Sequence, residues 1–267
     1  MKELIKYCIE HMSDKDLVYR LFEIYAISYK KSDSYRKLSD AYMMSGINIP
    51  ICKFTDFYRQ YWTPSPVDLH IKNLESGLLK GHSWHQAMPS MLHLSMQNKV
   101  RDCIDGKLSL NTLISVGADI MKHEYFMVAT HDICETAIIQ NIPNTIPPIG
   151  SKSISDFVLN GIPYDLKVST YPDGWNKNTS LNKSDYIKLL SSTLYAGADK
   201  ERMRKQAEKA SSPWTFNRFY VMVENQERWL DEPREMVNEI VVKTKSLGNP
   251  ECICVHGIDI QIQLIEL

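Results

Sequence analysis

Net charge is almost absent from this chain: 31 Lys and Arg stand against 32 Asp and Glu, for a formal net charge of -1. That excludes a polycation coating nucleic acid along its whole length, but not a local basic face. Long apolar runs are missing too. No stretch approaches the ~20 apolar residues of a membrane helix, and the opening residues Met1-Lys2-Glu3-Leu4-Ile5-Lys6 lack the apolar segment of a signal peptide. A cytoplasmic protein with no membrane partner is expected. Glycine is scarce, at 11 of 267 residues, and no segment repeats, which rules out collagen-like and solenoid architectures. The six cysteines, at 8, 52, 103, 134, 252 and 254, form no CxxC. Cys252 and Cys254 would share one strand face, and His82 and His85 one helix face, but neither pair reaches the ligand count of a zinc site. Reduced thiols are expected.

What remains is the composition of an ordinary globule, 43% hydrophobic and 24% charged, with enough chain for a full core. The first part reads helical. Leu17, Leu21, Ile24 and Tyr25 recur at helical spacing behind Ser13 or Asp14 as a cap, and a second helix is expected from about Ser34 to Met44, ending at Gly46. The segment Tyr61 to Pro66 is a breaker, followed by a helix from Val67 to Leu79. Residues 82–98 suggest more helix interrupted at Pro89, and Leu108 to Ile139 one or two further helices. The texture changes at Ile142. From there the order of elements reads β-β-α-β-α-β: two runs either side of Asn160-Gly161, a helix after Ser184, a strand Asn217–Val223, a helix Arg228–Thr244, and one or two strands within Cys252–Leu264.

Asn-Gly between apolar runs marks a two-residue type I′ hairpin, because both residues tolerate positive φ. Register follows by counting: Leu159 opposes Ile162, Val158 opposes Pro163, Phe157 opposes Tyr164, and Asp156 opposes Asp165. Alternation then gives one apolar face of Phe157, Leu159, Ile162, Tyr164, Leu166 and Val168, and a second face bearing Asp156, Asp165 and Lys167. Opposed acids at a non-hydrogen-bonded pair, roughly 4.5–5.5 Å apart at Cβ, repel each other. A divalent cation between them reverses that sign, and oxygen ligands suit Mg²⁺. Lys167, on the same face, can orient a water or balance charge developing on a phosphate.

Ser155-Asp156, nine residues' separation and then Asp165-Leu166-Lys167 resembles the PD-(D/E)xK nuclease signature in the form found in type II restriction endonucleases. The resemblance spans about Thr130 to Val223, and Ser155 stands where the family has proline. It implies an α/β (α+β) fold with a restriction-endonuclease-like mixed β-sheet flanked by helices. Residues 1–105 would then be a helical region for recognition or dimerisation, and residues 106–267 the catalytic domain. It also implies a Mg²⁺-dependent, site-specific endonuclease for double-stranded DNA, working as a homodimer because two strands need two active centres. In that family's pattern Asp156 and Asp165 hold the metal with the main-chain carbonyl of Leu166, Lys167 positions or activates the attacking water, and Glu135 orients a metal-bound water from the preceding helix. Glu124 is the rival helical acid. A repair or transposon-associated nuclease, or an inactive DNA-binding module, would share these residues.

Between Lys177 and Arg218 nine basic residues face four acids, in a segment that directly follows the candidate site. Phosphate contacts are expected from Arg202, Arg204, Lys205 and Arg218. Base-edge contacts are expected from the polar loop at Asn176, Lys177 and Asn178.

Overall fold

The computed structural model describes residues 2–81, 89–148, 155–171, 180–194, 205 and 216–267, with the backbone alone for 89–96 and 191–194. The expected loop residues Asn176, Lys177 and Asn178, the expected phosphate contacts Arg202 and Arg204, and the pair His82 and His85 lie outside the described residues.

Among the described residues, seven helices precede the first strand: α1 (Lys2–His11), α2 (Lys15–Ile24), α3 (Tyr35–Met44), α4 (Ile51–Arg59), α5 (Val67–Glu75), α6 (Pro89–Ile104) and α7 (Leu110–Asn141). Local chemistry sets their ends. The Asp14 carboxylate accepts from the Asp16 amide at the start of α2, and the Ser34 hydroxyl accepts from the Lys37 amide at the start of α3, each satisfying an otherwise orphaned donor. Gly46, at φ 72°, takes the left-handed turn after α3. Pro89 stands at the start of α6, where proline's missing N–H is permitted in a first turn; the preceding part of the expected 82–98 helix lies outside the described residues. Leu108 to Ile139 holds one long helix, α7, because its single glycine at 117 is tolerated.

The sheet follows as β1 (Phe157–Leu159), β2 (Ile162–Thr170), β3 (Arg218–Val223), β4 (Glu251–Val255) and β5 (Ile258–Glu266), with α8 (Lys183–Leu194) before β3, and α9 (Arg228–Asp231) and α10 (Pro233–Lys245) after it. Spatial order is β1-β2-β3-β5-β4. The β1–β2 and β4–β5 pairs are antiparallel hairpins, whereas β2–β3 and β3–β5 are parallel, as helical crossovers require. Both hairpins turn on residues with positive φ, Asn160-Gly161 and His256-Gly257. The protein is therefore mixed α/β, with a five-stranded mixed sheet flanked by helices. Among the described residues no helix is long and apolar enough to cross a membrane.

Among the described residues, three buried clusters place the layers. Phe157, Leu159, Tyr164, Leu166, Phe219 and Val221 pack against α5, α7, α9 and α10 on one face. Tyr220, Met222, Ile260, Ile262 and Leu264 pack against Tyr186, Ile187 and Leu190 of α8 on the other. Strand β3 is buried on both faces, which explains its unbroken Phe-Tyr-Val-Met-Val run. Helices α1–α4 form a separate core that reaches Ile146 and Val158. The second face of the hairpin is thus not polar throughout, since Val158 and Pro163 near the turn are covered. Only further along β2 do Asp165, Lys167 and Ser169 open toward solvent. Arg59 fastens the helical region to α7 by donating to the carbonyls of Ile139, Ile142 and Thr145 at 2.6, 2.8 and 3.0 Å, a cation on the negative end of a long helix.

Candidate functional site

The hairpin forms in the expected register: Leu159 pairs with Ile162, Val158 with Pro163 and Phe157 with Tyr164. Val158 turns its amide away from Pro163 and exchanges hydrogen bonds with Ile146, at 2.9 Å in each direction, so the proline's missing donor costs nothing here. The ladder ends at Phe157–Tyr164, one pair before the opposed acids. The Asp156 amide donates to the Tyr164 carbonyl at 2.8 Å, and its Oδ2 accepts the Leu166 amide at 2.6 Å. The carboxylate is thereby turned toward α7 instead of standing opposite Asp165.

On α7 the four-residue spacing of His131 and Glu135 puts both on one side of the helix, beside the buried Ile133, Cys134 and Ala137. His131 Nε2 lies 3.5 Å from Asp156 Oδ2, and His131 Nδ1 lies 3.7 Å from Glu135 Oε2. One potential ligand atom from each of His131, Glu135 and Asp156 lies within 4.8 Å of the others. Glu135, not Glu124, is the helical acid in this group. His131 is absent from the expected site, and the signal for it was its position one helical turn before Glu135.

Asp165 is held differently. Its Oδ2 is 2.6 Å from Lys167 Nζ and 3.1 Å from Arg218 Nε. Arg218 sits directly across from Asp165 in the parallel β2–β3 register, so the side chain expected to bind phosphate is turned to the acid. Leu166 buries its side chain in the core. Lys205 is exposed.

Behind His131 runs a further polar chain. Asp132 Oδ1 is 3.9 Å from His131 Nδ1, while its Oδ2 accepts from Ser65 Oγ at 3.1 Å and lies 3.5 Å from His70 Nε2. His70 Nδ1 and Asn73 Nδ2 both reach the Tyr125 hydroxyl, at 2.9 and 2.7 Å. This chain ties α5 to α7 and fixes the face of α7 that carries the site.

The electrostatics follow from crowding carboxylates beside one imidazole. Burial alone pushes His131 down, but Asp132, Asp156 and Glu135 together outweigh it and raise its pKa to about 10. Burial first, then the Asp156 and Asp132 charges, raise Glu135 to about 7 against the pull of His131. Asp156 is also pushed up by burial, but the hydrogen bond and charge of His131, the Leu166 amide and the charge of Lys167 bring it net below its ordinary value. In the metal-free protein His131 thus supplies the positive charge that the acids need.

These shifts have a definite sign in stability. His131, raised from 6.5 to about 10, stabilises fully below its unfolded value, and that contribution disappears as pH rises toward 10. Glu135, raised from 4.5 to about 7, favours folding on the acid side and loses that contribution as pH rises through 7. Asp156, lowered, contributes above its unfolded value and loses it only on strong acidification. The metal-free protein is therefore expected to show a thermal midpoint that declines steadily from about pH 6 to pH 10. His131→Gln should flatten the alkaline part of that decline. Thermal melts of both proteins in EDTA across this range test the assignment, and an unchanged slope in the variant rejects it.

The donor set fits a divalent cation. The two carboxylates supply hard oxygen donors, and the imidazole is a donor more typical of transition-metal ions. Comparison with family models, with curated proteins and with solved structures finds no match for this chain.

Proposed function

We propose that this protein is a divalent-cation-dependent endonuclease of the PD-(D/E)xK type that hydrolyses phosphodiester bonds of double-stranded DNA, as a site-specific restriction enzyme does. The observation that carries the reading is one juxtaposition. A hairpin ending in Asp156 and bearing Asp165 and Lys167 lies against a helix that presents Glu135 and His131 to Asp156. The order α7, β1, β2, α8, β3, with β2 and β3 parallel, supports a restriction-endonuclease-like core.

In this reading Asp156, Glu135 and His131 hold the cation, and the family's pattern adds the Leu166 carbonyl and Asp165, whose carboxylate pairs with Lys167 and Arg218 in this structure. A bound Mg²⁺ or Mn²⁺ would lower the pKa of a coordinated water and polarise the scissile phosphate. Lys167, half exposed at the mouth of the site, holds the attacking water by hydrogen bonding and offsets negative charge as it builds on the phosphate oxygens. Arg218 fixes the Asp165 carboxylate through a charge-assisted bond. His131 must give up the proton it carries in the metal-free protein before its nitrogen can serve as a ligand, so cation binding releases protons and tightens as pH rises.

The deciding experiment is digestion of supercoiled plasmid with Mg²⁺, with Mn²⁺ and with EDTA. Discrete fragments with either cation and none with EDTA are expected. A smear would make the enzyme a non-specific nuclease, and intact plasmid throughout would leave an inactive DNA-binding module.

DNA affinity separates the roles of the basic residues. Neutralising Arg202, Arg204 or Lys205 is expected to flatten the slope of log K against log salt by about 0.9 each and to weaken all sequences alike. Changing Asn176, Lys177 or Asn178 should instead narrow the gap between cognate and random duplexes. Arg218→Gln should leave the salt slope unchanged and slow cleavage, because its guanidinium serves Asp165. Filter binding at several salt concentrations checks this. Unaltered slopes in the Arg202, Arg204 and Lys205 variants would move the DNA path elsewhere.

A further inference from the structure

Strands β2 and β3 are parallel neighbours, yet the helices that follow them diverge. Helix α8, after β2, packs on one face of the sheet, and α10, after β3, packs on the other. Where successive connections separate in this way, a crevice opens outside the carboxyl ends of the strands. A cleft of about 460 Å³ lies at that place, within the size range of small-molecule sites. Each element that ends there contributes to its wall. Lys183 comes from the start of α8, Glu224 from just after β3, Lys243 and Leu247 from the end of α10 and beyond, and Glu266 and Leu267 from the end of β5.

Glu266 is fixed in this wall. Its Oε1 accepts hydrogen bonds from the hydroxyls of Tyr171 and of the buried Tyr186, the latter at 2.9 Å. The main-chain carbonyl of Glu266 accepts from the Lys243 ammonium, which also lies 3.9 Å from Glu239. Lys183 and Glu224 differ from these. Both are exposed at the cleft, and among the described residues neither side chain has a hydrogen bond or an ion pair. Opposite charges that line one cleft without meeting leave room between them for a group that meets both.

We infer that this cleft binds a small zwitterion with an apolar body, a free α-amino acid, with its carboxylate at Lys183 and its ammonium at Glu224 and Glu266. Three features select that class. First, the charges balance: two ammoniums, Lys183 and Lys243, and two carboxylates, Glu224 and Glu266, line the cleft, so a ligand without net charge leaves none of them uncompensated. Second, carboxylates only accept hydrogen bonds and ammoniums only donate. The ligand must therefore carry donors at one end and acceptors at the other, as a free amino acid does. Third, Leu247 and Leu267 add an aliphatic surface that an apolar side chain can cover. The alternatives fit less well. A phosphate dianion would face two carboxylates as well as two ammoniums, and a divalent cation would face two ammoniums. This inference is independent of the nuclease reading. Arg218, the partner of Asp165, opens β3, whereas Glu224 follows its far end, about 20 Å along the strand.

The test is isothermal titration calorimetry of the full chain in EDTA, with each standard L-amino acid in turn. At least one with an apolar side chain is expected to bind with Kd of about 1 mM or below. Its N-acetyl and carboxamide derivatives, which lack the ammonium and the carboxylate respectively, should bind about tenfold more weakly or worse. Lys183→Met and Glu224→Gln should each weaken the amino acid by a similar factor of about ten, while Lys188→Met, on an exposed part of α8 outside the cleft, should not. The derivatives are read on the wild-type protein, so they decide the matter if circular dichroism shows either variant misfolded. No binding by any amino acid up to about 10 mM overturns the inference. Equal binding of the acetylated or amidated form overturns it by removing the need for a zwitterion, and tighter binding of AMP gives the cleft to a nucleotide instead. Binding unaltered in both variants overturns it by placing the amino acid elsewhere. Plasmid cleavage is read separately, so failure of this inference and failure of the nuclease reading cannot be confused.

Discussion

Replacing Asp156 or Asp165 with Asn is expected to lower plasmid cleavage by at least about a thousandfold, a barrier increase of ~4 kcal/mol, while the protein stays folded. The two variants act by different routes. Asn at 156 still offers an oxygen to the Leu166 amide, so the turn into β2 persists, but His131 and any bound cation lose the charge they share. A fall in Mn²⁺ affinity, measured by calorimetry, should accompany the loss of rate. Asn at 165 leaves Lys167 and Arg218 side by side without the carboxylate that now lies 2.6 and 3.1 Å from them. Two cations facing each other then shift Lys167, and the rate falls with a smaller change in Mn²⁺ affinity. Near-wild-type thermal midpoints in EDTA would exclude unfolding as the cause. Retention of more than about a tenth of wild-type cleavage by either variant, ~1.4 kcal/mol of barrier or less, rejects the assignment.

The hairpin that carries these residues is legible because its determinants are local. Asn160-Gly161 sets the turn by backbone sterics, and strict alternation then fixes which residues oppose each other, down to Phe157–Tyr164. The geometry at its open end is not legible in the same way. Counting alone sets Asp156 against Asp165, but a free amide at Leu166 is within reach of the Asp156 side chain, and a short hydrogen bond to a carboxylate outweighs continuation of the ladder. Beside Lys167, Asp165 is paired with Arg218, 53 residues away in sequence and adjacent only because β2 and β3 pair in parallel. No periodicity within either strand encodes that register. His131 is an intermediate case. Its spacing from Glu135 is readable as a shared helix face, but its relevance emerges only when α7 is laid against the end of β1, with Arg59 holding the far end of the helix. The α1–α4 core hides a similar non-local fact. Val158 and Pro163 sit at alternation positions that mark a solvent face, yet Ile146 and the helical core cover them.

Lys167→Ala is expected to reduce cleavage by about a hundredfold or more, at least ~2.7 kcal/mol of barrier, while DNA affinity measured in Ca²⁺ stays within about twofold of wild type. The reasoning starts from its position. Lys167 projects from β2 on the face that opens toward solvent, two residues beyond Asp165 and on the same side. Its ammonium touches the Asp165 carboxylate at 2.6 Å. One exposed cation among many contributes little to total DNA affinity, because each phosphate contact carries only a share of the counterion release. Its contribution to the barrier is larger, because charge appears on the phosphate oxygens only in the transition state, and an interaction made only there acts on the rate alone. Lys167→Arg distinguishes this from simple ion pairing. The guanidinium keeps the pair with Asp165, but its planar fork cannot place a single donor on the attacking water as a compact ammonium does. The Arg variant should therefore bind DNA and Mn²⁺ normally and still cleave at least about tenfold more slowly. If Arg restores full activity, Lys167 serves only to hold Asp165. If Ala loses affinity in step with rate, Lys167 anchors the duplex, and the water must be held by another group at the site.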